Sequence, residues 1–277
     1  MLTCRIYLNW EPNKKYASVK AYIELGWVIH ACFSSEVRAC VLKVKPLERN
    51  ERSEKLAKLY IVGAGPGSAD YVTPAARKAV QEAQMVIGDQ CVLDLFREDI
   101  KSQTLILTCK NIDDTLKCAS DSVKSGKTVT VISTGDPGFS GLLGSVLRRS
   151  LDKNIEVHVI SGISSLLACA AKLCLPWDDA VLITFHKGAS VERKREFAEA
   201  VKAGKTVLLL PDPSAFTPSE ISDYLIKAGV DENTRVAVCQ NLTQADEKIV
   251  ETTLKGALKQ SFVPTSVMAI KGNLKNN

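Results

Sequence analysis

The chain has 277 residues, 45% apolar and 24% charged, with a formal net charge of +5; this is the balance of an ordinary globular protein. No run approaches the roughly 20 apolar residues that cross a bilayer, and residues 1–10 lack the charged-then-apolar pattern of a secretory leader. A cytoplasmic chain with no membrane partner is expected. The excess charge sits in residues 1–58, while residues 59–277 are neutral overall and lack the basic footprint of a nucleic-acid binder.

Three segments are predicted: an N-terminal extension of unassigned role (1–58), an α/β domain (59–175) and a second α/β domain (176–277). In the first, residues 4–8 read as a strand and 14–25 as a helix stopped by Gly26. Residues 27–33 read as a second strand, and the charged stretch 46–58 as a linker or solvated helix.

The second segment alternates short β-branched runs with helical patterns. Residues 59–62 form a strand that enters a glycine-rich loop. Thr73 before Pro74 is an N-cap followed by Pro at the first helical position, opening a helix to about residue 83. Strands follow at 85–88, 128–133 and 156–160, and helices at 116–124, 141–149 and 164–173. This order implies a mostly parallel sheet with helices on both faces. Past Leu175-Pro176-Trp177, strands are predicted at 181–185, 206–210, 235–238, 249–253 and 266–270. Helices are predicted at 191–202 and 218–228. A ligand cleft is expected between the two domains, beyond the carboxyl ends of strands.

The nine cysteines contain no C-x-x-C pair, and no His stands at zinc-ligand spacing from them. In apolar runs such as those around Cys169 and Cys174 they read as small buried hydrophobes. No metal site is expected.

Four motifs carry the chemistry. Val62-Gly63-Ala64-Gly65-Pro66-Gly67 follows a strand, where glycines let the backbone turn and approach a ligand. A dinucleotide fingerprint is the rival reading, with Asp89 after the next strand as the ribose carboxylate. Against it, Ser68 stands where the third glycine belongs and Pro66 removes a donor that a pyrophosphate needs. The second motif, Ser133-Thr134-Gly135-Asp136-Pro137-Gly138-Phe139-Ser140-Gly141, specifies another tight loop. Its Asp either bonds a ligand or satisfies its own turn. Ser161-Gly162-Ile163-Ser164-Ser165 opens a helix, as a polar ligand contact or as plain capping. In the second domain, Phe185-His186-Lys187-Gly188 ends a strand, Asn241 follows another, and Thr265 begins the last.

Taken in this order, and with Leu175-Pro176-Trp177-Asp178-Asp179-Ala180, the motifs resemble the tetrapyrrole (corrin/porphyrin) methylase family over about 59–272. Within it the likeness is greatest to the branch that methylates carbon 5 of cobalt-precorrin-7, and to the N-terminal half of precorrin-6Y methylase. Two departures stand out. The branch has H-G-R where this chain has His186-Lys187-Gly188, and residues 1–58 match nothing in the family.

The resemblance implies two α/β domains around a cleft that holds S-adenosyl-L-methionine. By motif, Pro66, Gly135, Asp136, Phe139, Ser164 and Ser165 line the donor, joined by His186, Asn241 and Thr265 from the second domain. Asp136 and His186 are the candidate bases. Lys187, Arg193 and Arg195 are candidate anchors for a polycarboxylate tetrapyrrole. A homodimer is implied, and a separate protein for carbon 15, because this chain is too short for a second methylase module. The rivals are another branch of the family (a different corrin position, uroporphyrinogen-III, diphthine or ribosomal RNA methylation) and, from another class, an NAD-linked oxidoreductase.

Overall fold

The computed structural model describes residues 57–149 and 155–272, together with the backbone of four strands ahead of them. The chain divides into two units, Met1–Leu56 and Ala57–Asn277. In the first, β1 (Arg5–Asn9), β2 (Tyr16–Ile23), β3 (Trp27–Ser34) and β4 (Val41–Pro46) pair antiparallel in chain order. The helix expected over 14–25 is thus corrected to a strand. In the sequence Tyr16, Ser18, Lys20 and Tyr22 alternate with Ala17, Val19, Ala21 and Ile23, a period of two that outweighs the stop signal at Gly26. The linker or helix expected over 46–58 lies largely outside the described residues.

The second unit opens with β5 (Leu59–Gly63), α1 (Pro74–Gln81), β6 (Met85–Gly88), α2 (Gln90–Leu95) and β7 (Gln103–Ile106). It continues with α3 (Ile112–Lys124), β8 (Val129–Ser133), α4 (Leu143–Arg149) and β9 (Val157–Ile160). The five strands form one parallel sheet in the order β7-β6-β8-β5-β9. Alternation along each strand divides the core. Leu59, Ile61, Val129 and Val131 pack under α3 with Leu116, Ala119 and Val123. Val62 and Ile132 face the other way, toward α1 and α2 with Ala76, Val80 and Phe96. Burial on both faces is why β5 and β6 read as unbroken apolar runs. The start of α1 is fixed by Thr73, whose Oγ1 accepts the Ala76 N–H at 3.1 Å, and by Pro74 at the first position, where its missing N–H costs nothing.

The chain continues through α5 (Ser165–Lys172), β10 (Val181–Thr184), α6 (Val191–Lys202), β11 (Val207–Leu210) and α7 (Pro218–Lys227). It closes with β12 (Arg235–Gln240), β13 (Lys248–Thr253), α8 (Leu254–Ala257) and β14 (Ser266–Ile270). This second sheet runs β10-β11-β14-β12-β13; only β10 and β11 are parallel neighbours. Phe185, Phe197, Phe216, Ile221 and Leu225 fill the face under α6 and α7. The opposite face, Leu208, Leu210, Ala237, Cys239, Val267 and Ala269, is covered by Leu166, Cys169 and Ala170 of α5. By chain order α5 follows the first sheet; by packing it covers the second.

The expectation that cysteines in apolar runs are buried is met at Cys169 and corrected at Cys174. Cys169 and Cys239 are fully buried, but Cys91, Cys109 and Cys174 are exposed. Cys174 sits in the turn after α5 with φ of 51°, its N–H bonded to the Ala171 carbonyl at 3.2 Å. An apolar run that includes a turn does not bury every member. Among the described residues no helix is long and apolar enough to cross a membrane.

Candidate active site

Because β5, β8 and β9 are parallel neighbours, the loops at their carboxyl ends meet. Gly65 and Gly135 exchange backbone bonds, at 2.9 Å from the Gly135 N–H and 3.2 Å from the Gly65 N–H. Gly162, after β9, lies against both loops. A Cβ placed on Gly63 would come 2.5 Å from Gly162 Cα and 2.6 Å from the Gly135 carbonyl oxygen. Gly65 and Gly135 also hold φ of 81° and 61°, which a side chain disfavours. The three glycine motifs are thus one interlocked surface.

Asp136 fastens that surface. Its Oδ1 accepts the Gly138 N–H at 2.8 Å, and its Oδ2 accepts the Gly162 N–H at 3.1 Å and the Ser161 hydroxyl. The carboxylate therefore satisfies its own turn and also binds the neighbouring loop. Ser164 caps α5, its Oγ accepting the Leu166 N–H at 3.3 Å.

Beyond these loops lies a cavity of about 730 Å³, within the range of small-molecule sites. The first sheet contributes Pro66, Gly135, Asp136 and Phe139 to its walls, and α5 contributes Ser164 and Ser165. His186, Asn241 and Thr265 close it from the second sheet. All nine residues expected at the donor thus line one cavity. Lys187, Arg193 and Arg195 do not line it; all three are exposed, the two arginines on α6. A cavity of equal volume at the far end of the second sheet, around Lys205, Arg235 and Lys271, holds none of the motifs.

Hydrogen bonds tie the loops of both sheets around the site. The Ser140 hydroxyl donates to Thr184 Oγ1 at 2.5 Å, and that oxygen also accepts the His186 N–H at 3.2 Å. The Ser68 N–H donates to Thr243 Oγ1 at 2.9 Å. The Asn241 Nδ2 donates to Asp246 at 2.6 Å, and its Oδ1 accepts the Thr265 hydroxyl. Desolvation by the surrounding walls holds the His186 imidazole below its ordinary value, against an opposing pull from the Asp212 carboxylate. The shift favours the neutral form of the imidazole over the charged one.

Sequence reasoning missed the wall formed by α2, where Gln90, Cys91 and Leu95 face the cavity, and also Leu242 and Gln244. A signal for α2 existed. Asp89 is its N-cap, Oδ1 accepting the Val92 N–H at 3.0 Å, and an Asp just before an apolar run is a helix-start pattern.

Among the described residues the lining contains two carboxylates, Asp89 and Asp136, and no lysine or arginine. A pyrophosphate would find no cation there, and Pro66 withholds an N–H. A ligand with an apolar ring, hydroxyls and a positive centre suits these walls. Fold and site together define an α/β protein with two sheets and a cavity suited to such a ligand.

Comparison with known proteins gives the family. The pattern of the Tetrapyrrole (Corrin/Porphyrin) Methylases matches residues 58–257. A Methanocaldococcus jannaschii protein named "probable cobalt-precorrin-7 C(5)-methyltransferase" is 35% identical over 217 residues, covering 78% of this chain and 98% of that one. The solved structure of the precorrin-6Y methylase of cobalamin biosynthesis from Archaeoglobus fulgidus has a TM-score of 0.59 at 23% identity, over 78% of this chain and 98% of that one. The Thermus thermophilus uroporphyrin-III C-methyltransferase, solved with S-adenosylhomocysteine, has a TM-score of 0.65 at 20% identity, over 78% and 97%. The chain belongs to the tetrapyrrole methylase family. It is an S-adenosylmethionine-dependent C-methyltransferase by that membership.

Proposed function

We propose that the chain methylates carbon 5 of cobalt-precorrin-7, in the cytoplasm and as a homodimer, with a separate enzyme acting at carbon 15. The observation that carries this is the match, over 98% of its length and 78% of this chain, to a relative named for that reaction, together with a cavity whose walls contain all nine expected donor residues. Alternating sheets and helices over 59–175 and 176–277 support the reading of two catalytic lobes, with α5 reaching across.

S-adenosylmethionine supplies an electrophilic methyl group on a sulfonium. The chain's residues position and protect. The interlocked loops at Gly65, Gly135 and Gly162 present backbone groups at close range. Pro66, Phe139 and Leu242 supply apolar wall, and Ser164, Ser165, Asn241 and Thr265 supply polar contacts. Asp136 acts through the loops it joins and adds a negative potential that a cationic donor favours. Good orientation alone supplies about 7–11 kcal/mol toward such a transfer. The ring carbon forms its bond to the methyl as the carbon–sulfur bond breaks, and the neutral His186 imidazole is the base available for a proton shed by the macrocycle. Lys187, Arg193 and Arg195, outside the cavity, attract the substrate's carboxylates; each exposed pair contributes only about 0–1 kcal/mol.

Calorimetric titration with S-adenosylhomocysteine, with NADH as control, tests this reading. Stoichiometric binding of the former alone is expected. Binding of NADH alone overturns it.

A further inference from the structure

The loop after β12 carries two left-handed residues, Asn241 (φ 47°) and Thr243 (φ 67°). Asparagine tolerates that region; a β-branched threonine does so only when its surroundings hold it. Asn241, Leu242 and Gln244 of this loop form part of the cavity wall, so whatever holds Thr243 also shapes the site.

Two bonds hold it. Thr243 Oγ1 accepts the Ser68 N–H at 2.9 Å, and the Thr243 N–H donates to Glu247 Oε2 at 2.6 Å. The other oxygen of Glu247 accepts Lys172 Nζ at 2.8 Å. Lys172 is the last residue of α5, the helix whose first turn brings Ser165 to the same cavity. Glu247 thus connects α5 to the strained turn, and the turn connects to the glycine loop at Ser68. The Glu247 side chain is only 19% exposed, and both its oxygens are engaged, unlike a free surface pair. The Lys172 bond, then the Thr243 N–H, holds its carboxyl below the usual carboxylate range.

We infer that Glu247 is a positioning residue of the donor site, which fixes the left-handed turn at Thr243 and braces it through Lys172 against α5. The inference rests on the reading that this cavity binds the methyl donor.

The test is S-adenosylhomocysteine titration of the full chain alongside thermal unfolding. Glu247→Ala is expected to weaken binding about tenfold, the effect of losing one charge-assisted hydrogen bond. Glu247→Gln, whose amide oxygen still accepts the Thr243 N–H, is expected to lose about threefold. Thr243→Asn, which tolerates the left-handed region and keeps a side-chain oxygen, is expected to restore most of the affinity in the Glu247→Ala background. A purely structural role would lower the melting temperature without that rescue. Lys172→Met is expected to weaken binding less, and by an amount that shrinks with added salt. If the unaltered chain binds the ligand and folded Glu247→Ala and Glu247→Gln bind equally well, the positioning role is refuted and the cavity reading stands. If the unaltered chain does not bind it, the cavity reading fails and this inference falls with it.

Discussion

Replacing Asp136 by Asn tests whether the three motifs work as one surface. The carboxylate accepts three bonds on two oxygens; an amide offers one oxygen. Turned to keep Ser161 and Gly162, it points its NH2 at the Gly138 N–H and loses that bond. Hydrogen bonds to a charged group contribute about 1.5–3 kcal/mol each. Asp136 is half-exposed, and water offsets part of the loss, leaving about 1–2 kcal/mol. For a body of this size that lowers Tm by about 2–8 °C. The loops it joins are cavity wall, so S-adenosylhomocysteine affinity should fall about tenfold, equivalent to about 1.4 kcal/mol. Differential scanning calorimetry and isothermal titration read the two quantities on one preparation. A variant with unchanged Tm and unchanged affinity refutes the fastening role. Unchanged Tm and affinity with lost turnover would assign Asp136 to the chemistry itself.

Gly63→Ala should destabilise the protein by about 1–3 kcal/mol by overpacking, because its Cβ meets backbone of two other loops; a Tm equal to that of the parent would contradict the interlock. With the His186 imidazole held below its ordinary value, its protonation in acid places a positive charge in the cavity. Binding of the sulfonium donor should then weaken relative to neutral-sulfur S-adenosylhomocysteine as pH falls from about 7.5 to 5.5, and His186→Asn should flatten the ratio. A ratio that is flat in the parent would remove His186 from the donor's surroundings. A chain starting at Ala57 should keep S-adenosylhomocysteine affinity within about twofold, since the described lining residues all belong to the second unit; loss of binding by the folded truncation would give residues 1–56 a role.

Most strands of the parallel sheet and the longer helices of the second unit were legible because period and punctuation agreed. The helix 191–202 and the strand 266–270 match their predicted bounds, the first capped by Ser190, whose Oγ accepts the Arg193 N–H at 3.3 Å. The segment 14–25 was misread because a Gly after an apolar-rich stretch imitates a helix stop. The short α2 and the exposed edge strand β7 were missed: six and four residues carry too little periodicity. Donor-site residues were legible where glycine and proline mark a loop, in 62–67 and 133–141. Leu242, Thr243 and Glu247 were not, because left-handed threonine and a partner 75 positions away leave no local pattern.

The packing of α5 has a consequence for how the chain is made. The helix leaves the ribosome before any strand it will cover has been synthesised. Leu166, Cys169 and Ala170, all fully buried in the finished protein, must wait exposed until β11, β12 and β14 arrive. Conversely, a fragment beginning at the Pro176 hinge would present Leu208, Leu210, Ala237, Val267 and Ala269 as a bare apolar face, and such faces aggregate. The second sheet is therefore not separable at Pro176: a fragment of it that stays in solution must begin before Ser164.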